Sequence, residues 1–202
     1  IRASEIKGES LDIKENGEIN IEDTIVRIDK YIQNEGNSRI SIINSKVYSG
    51  EGLRTNGNEI IDIENSEIES EKAGIVIERG EVEITDSKVK GETGIEIKER
   101  GNIKHKGLEI NSDKVGIDYA GERDIEIKGI KITSKETALK NEGKRIKITD
   151  SEIQGDIETK SGEVLEIDNS KISGVRIENN SQTMIRASEI KGESLDIKEN
   201  GE

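Results

Sequence analysis

The sequence predicts an all-β fold, a parallel β-solenoid of about nine coils of 18–22 residues, on three observations. One short pattern of apolar and polar residues returns nine times, and isoleucine fills most of its apolar positions. In nearly every copy a residue tolerant of left-handed backbone stands at the same place.

The pattern reads apolar-x-apolar-x-[Asn/Asp/Gly]-[Ser/Thr or aliphatic]-x-apolar, as in Val82-Glu-Ile84-Thr-Asp86-Ser87-Lys-Val89. Its copies begin at Ile19, Ile40, Ile61, Val82, Ile103, Ile125, Ile146, Leu165 and Thr183. The first two apolar residues alternate with polar ones at period two, the mark of a strand with one buried face. The alternation then slips by one residue at Asp23, Asn44, Asn65, Asp86, Gly107, Gly129, Asp150 and Asn169, which predicts a bend. Ala187 is the exception to that rule.

A second strand follows each bend. The small residues Ser49, Ser70, Gly91, Ser112, Ser134, Gly155, Gly174 and Gly192 predict a second bend, with Ile28 out of line. A third side carries Ile75/Ile77, Ile95/Ile97, Val175/Ile177 and Leu195/Ile197. Dipeptides such as Asn16-Gly17, Asn56-Gly57 and Ser161-Gly162 close the coils. Coils that share a pattern can pair in parallel at about 4.8 Å and stack like upon like. Isoleucine suits such a core, being stiff and free of polar atoms. The aromatic share of 1% fits a core expected to have little room for rings. Ser45, Ser66 and Ser87, beside the first bend, are placed to hydrogen-bond along their column.

Composition bounds the function. The chain of 202 residues is 30% hydrophobic and 37% charged with net charge −13, values that alone would suggest disorder. Isoleucine in register nine times overrules that suggestion. There is no cysteine, hence no disulfide and no thiolate metal site, and no proline to interrupt a ladder. Net acidity with three aromatic residues argues against nucleic acid, and no run of apolar residues is long enough to span a membrane.

Residues 1–18 recur without change at 185–202, an offset of 184 residues. The chain therefore reads as one continuous solenoid in which 1–184 is one tandem unit and 185–202 opens the next. It starts and stops inside coils, as an excerpt of a longer array would.

These columns resemble the right-handed parallel β-helix of the pectin-lyase-like superfamily, and the run of many similar coils resembles the passenger regions of autotransporters and other very large bacterial surface proteins. The resemblance implies a right-handed coil, an extracellular or cell-surface location, and the role of a fibre, stalk or adhesin that stacks end to end. A carbohydrate-binding or polysaccharide-cleaving β-helix is the alternative. Such a protein should carry long loops around a cleft, whereas these coils vary by only a few residues. A designed repeat would copy one coil faithfully, and these have drifted apart.

Candidate sites are few. His105, the single histidine, falls in an isoleucine column between Ile84 and Ile127 and reads as structural, since no second ligand or nucleophile accompanies it. The Asn/Asp bend column reads as backbone geometry, not a cation ladder, because Gly107, Gly129 and Ala187 interrupt it. Asp62, Glu83, Lys104, Glu126 and Lys147 share an outer column and read as a solvated face. No catalytic residue, metal or cofactor is expected, and the expected partner is the chain itself, with cell-surface or polysaccharide contact open. Outward Ile25, Ile43, Tyr48 and Met184 are candidates for lateral contact. The sharpest expectation is an axial charge ladder of Lys46, Glu67, Lys88, Glu109, Lys131, Glu152, Lys171 and Glu189, alternating in sign, with uncharged Ile25 as its phase break. Most of its seven neighbouring pairs should lie within about 4 Å.

Overall fold

A computed structural model describes residues 1–58, 60–159, 164–174, 176–179, 182–192 and 194–197. Among them there is no helix; parallel strands wind into a solenoid with three faces. The first face holds Glu18–Glu22, Arg39–Ile43, Ile60–Glu64, Glu81–Thr85 and Asn102–Lys106 in one five-stranded sheet. A four-stranded sheet of Ile125–Lys128, Ile146–Thr149, Leu165–Asp168 and Thr183–Arg186 continues it. The second face runs from Glu5–Gly8 through Ile25–Ile28, Lys46–Ser49 and Glu67–Ser70 to Glu189–Lys191, and the third includes Tyr31–Asn34, Gly52–Thr55 and Ala73–Ile77. In mid-chain, strands such as Lys88–Glu99 and Glu109–Gly121 run unbroken through the second bend, joining these two faces into one sheet of 16 strands. The expected turn at Ser161-Gly162 and the apolar Val175 lie outside the described residues.

The first bend is one conformation repeated. Asp23, Asn44, Asn65, Asp86, Asp150 and Asn169 all have φ between 45° and 52°. Ala187, the sequence exception, has φ 47°, and Ala3, its counterpart 184 residues earlier, has φ 48°. An alanine gains nothing intrinsic from left-handed backbone, so the stacked coils must impose it. The first coil and its described counterpart agree in strands as well, Glu5–Gly8 with Glu189–Lys191 and Leu11–Ile13 with Ser194–Ile197; residues 193 and 198–202 lie outside the described set.

Inside the bend the hydroxyl column forms a relay. Each Oγ accepts the amide N–H of its counterpart one coil earlier, Thr24 to Ser45 at 3.0 Å, Ser45 to Ser66 at 3.0 Å and Ser66 to Ser87 at 2.9 Å. Each also donates to the carbonyl two residues back in its own coil, at 2.7 Å for Ser45, Ser66 and Ser87. The relay resumes from Ile130 to Ser151 and on to Ser170 and Ser188. Leu108 and Ile130, which have no hydroxyl, are its two gaps.

Aliphatic columns fill the interior: Val26, Val47, Ile68, Val89, Ile110, Ile132 and Ile153 are buried and paired in register along the second face. Little room for rings was expected, and Tyr119, which is fully buried, is the exception. A Cβ at Gly121 or at Gly143 would stand 2.6 Å from its ring, so two missing side chains make the room. Its hydroxyl donates to the Arg123 carbonyl. In the same inward column, buried Asn34 and Asn141 donate to the carbonyls of Ser38 at 2.8 Å and Lys144 at 2.9 Å. These polar side chains brace the corner after the third face by satisfying its carbonyls.

Candidate functional site

The outer side of the second face carries the charge column, and its register is continuous. Cα partners run Glu5, Ile25, Lys46, Glu67, Lys88, Glu109, Lys131, Glu152, Lys171, Glu189. Close contact is rarer than expected. Of the seven pairs only Lys46–Glu67 at 3.1 Å and Lys88–Glu109 at 3.2 Å fall within 4 Å. At three of its glutamates the next outward residue along the strands competes. Glu67 takes a diagonal bond from Lys90, Glu109 accepts from Asn111 at 3.3 Å, and Glu189 pairs with Lys191 at 2.7 Å. The ladder is therefore a mesh, in which the alternating column shares partners with Lys90, Asn111 and Lys191 of the mostly uncharged column beside it, and not a single file of ion pairs. Lys90 first and Lys46 after it hold the Glu67 carboxyl below the usual carboxylate range against the opposing pull of burial. Asn111 and then Lys88 lower Glu109, and Lys191 lowers Glu189.

The four candidates for lateral contact do not form one patch. Ile25, 42% exposed, and Tyr48 lie on neighbouring strands of the second face, where the Arg27 guanidinium stands 4.4 Å from the Tyr48 ring centre. Ile43 ends a first-face strand at the bend, and Met184, 44% exposed, lies on the first face at the far end of the stack. Sequence order near a unit junction says nothing about which face a residue occupies.

His105 occupies the isoleucine column opposite Ile84 as expected. Its Nδ1 is buried with no hydrogen-bond partner, and burial lowers its pKa. No group of three or more His, Asp or Glu side chains converges on a cation site among the described residues.

The outer column of the first face holds salt-bridged charges. Asp62 accepts from Arg39 at 2.8 Å, Lys104 reaches Glu81 at 2.6 Å and Glu83 at 3.3 Å, and Lys147 reaches Glu126 at 3.2 Å. Burial pushes the Glu81 carboxyl up, yet hydrogen bonds from Lys104 and Asn102 outweigh it and leave the pKa lowered. Asp118, on the outer side of the third face, is pushed up by burial, opposed by Lys140 at 3.9 Å.

Two open grooves lie on the corners. One, of about 690 Å³, is walled by Arg79, Glu81, Glu99, Arg100, Glu122 and Arg123 where the chain leaves the third face. Within it Arg79 pairs with Glu99 at 2.9 Å and Arg100 with Glu122 at 3.8 Å, so its charges largely neutralise one another. The other, of about 500 Å³, lies over the first bend at Gly107 and Gly129, floored by Leu108 and Ile130. It exists because two successive bend residues have no side chain. Neither groove was expected from the pattern, although the two glycines were the visible signal of the second.

Comparison of the chain with protein-family models, with curated proteins and with solved structures found no match in any of the three.

Proposed function

We propose that the chain is a structural repeat module of an extracellular bacterial fibre, stalk or adhesin, in which units of 184 residues continue one another end to end. The observation that carries this reading is the conformational likeness of the repeated segment over its described residues: Ala3 and Ala187 share an unfavoured φ to within a degree, and the strands beside them agree to within a residue. A coil that repeats its backbone at the unit period can receive the next unit with the register it already uses inside the chain. The junction is represented within this chain, because Glu5 is the counterpart of Glu189 and pairs with Ile25, which pairs with Lys46. Ile25 thus separates a glutamate from a lysine at the point where an alternating column of odd period needs a neutral residue.

The test is the length of tandem chains of one, two and three units measured by small-angle scattering and electron microscopy. Each added unit should lengthen a rigid rod by about 43 Å, nine coils at about 4.8 Å. Particles that bend freely at each junction, or lengthen by a different amount, would refute the reading. The groove beside Arg79, Arg100 and Arg123 is the one feature that supports the alternative of carbohydrate contact. Binding of acidic oligosaccharides there, abolished by Arg100→Ala, would establish that reading instead.

A further inference from the structure

We infer that the solenoid carries a built-in seam between its first-face strands Asn102–Lys106 and Ile125–Lys128, and that protonation of His105 opens it. Four features meet at this place. The first-face sheet ends on one of these strands and restarts on the other, while all its other described neighbours pair over four or five residues. The bond from each bend amide to the next coil, as from Asp86 to the Lys106 carbonyl at 2.8 Å and from Gly129 to Thr149 at 3.0 Å, is not formed from Gly107 to Lys128. The hydroxyl relay has its two gaps at Leu108 and Ile130. Complementary side chains turn away from each other: Lys104 bonds back to Glu81 and Glu83, and Glu126 bonds forward to Lys147.

The other two faces stay closed across the same coils. Glu109 to Ser112 pair with Lys131 to Ser134, and Ile117 to Tyr119 pair with Leu139 to Asn141. An opening at the seam is therefore a wedge on one side of the rod, hinged on two intact ladders, and it would bend the axis without breaking the chain of contacts.

His105 stands at the mouth of this wedge, in a column whose interior neighbours Ile103, Leu108, Ile110 and Ile127 are aliphatic. The charged groups around it are Lys104 and Lys106 on its own strand, Glu83 and Asp86 from the preceding coil, and Glu126 and Lys128 from the following one. All of these are half-buried or exposed, and none of them contributes to the shift of its titration, which burial alone drives downward. A proton on the ring thus has no counter-charge inside, and water entering through the wedge is the nearest source of solvation. The sign follows. The opened state titrates near the ordinary value of 6.5 and the closed state below it, so the opened state takes up the proton first and closure weakens as pH falls below about 6.5.

Hydrogen exchange read by mass spectrometry on the full chain tests this at pH about 7.5 and about 5.5, with intrinsic rates corrected for pH. Peptides covering 102–106 and 125–128 should exchange at least about tenfold faster than those covering 81–85, and the ratio should widen on acidification. His105→Ile, which matches its column, should remove the acid response, and His105→Gln, polar but not titrating, should keep fast exchange at the seam without it. Equal protection at the seam and at 81–85 would overturn the seam. An unchanged acid response in both variants would overturn the role of His105.

Discussion

The Ser66 hydroxyl accepts the amide proton of Ser45 at 3.0 Å and hands its own proton to the carbonyl of Glu64 at 2.7 Å, so one side chain joins two coils and closes one bend. The Ser45 amide lies where water does not reach. Ser66→Ala should leave it without an acceptor and destabilise the chain by about 1–3 kcal/mol. Ser41→Ala, on the outer side of the neighbouring strand, should stay within about 0.5 kcal/mol. Thermal unfolding checks both, at about 2–4 °C per kcal/mol for a chain of this size.

The charge mesh makes a contrast between two glutamates on one strand. Glu67 lies in the strictly alternating column between Lys46 and Lys88 and also holds Lys90, whereas Glu69 reaches Lys90 only at 4.0 Å. Glu67→Lys, which sets three lysines in succession, should cost about 1 kcal/mol more than Glu69→Lys at low salt, and the gap should shrink near 1 M salt. Equal costs would show the alternation to be incidental. The wild-type pH profile has a matching sign. A carboxyl held below its ordinary 4.5 stabilises above that value, and the contribution is lost as pH falls through the folded-state value. That window lies below the one expected for His105.

At the bends, Gly129 is the open position. Its φ is 67° and a Cβ there would meet nothing within 4 Å. Asparagine holds similar backbone at 44, 65 and 169, and Asn169 donates to Asp150 at 2.6 Å. Gly129→Asn should therefore be tolerated and raise stability by about 0.5 kcal/mol, through lower entropy of the unfolded chain and a new bond along the ridge. Chemical denaturation measures it.

The buried ring offers the opposite case. Gly121→Ala would place a methyl 2.6 Å from the Tyr119 ring, whose side-chain atoms are the nearest it meets, and should destabilise by about 1–3 kcal/mol. Tyr119→Phe, which loses only the bond to Arg123, should cost about 1 kcal/mol. If Tyr119→Leu rescued Gly121→Ala, the packing account would be confirmed by a double-mutant cycle.

The three faces, the bends and the charge register could be read from the chain because each rests on a strict period. Asp86 or Asn65 announces its bend by residue type, and Glu67 finds Lys88 opposite because both stand one residue after a serine. What escaped were places where the period is locally altered and a neighbour decides the outcome. Tyr119 fits only because Gly121 and Gly143, on its own coil and the next, leave space. Asn34 and Asn141 stand in an inward column that also holds Thr55, Tyr119 and Thr159, and only the corner carbonyls they reach explain them. The first-face discontinuity leaves no mark in the spacing, since the turn between Gly121 and Ile125 is as long as the one between Glu99 and Ile103. Partner choice among Lys46, Lys88 and Lys90 depends on rotamers of exposed side chains, which no periodicity sets.

The fixed register between coils also bears on synthesis. Every rung pairs with residues 18 to 22 positions away, as Lys171 does with Glu189 and Arg39 with Glu18, however many rungs the array contains. The contact order of such an array, measured in residues, does not grow with its length. A nascent chain can add each coil to the last once about twenty residues have emerged from the ribosome, with no distant segment to wait for. Doubling the array then adds folding time in proportion instead of raising the barrier to the first step.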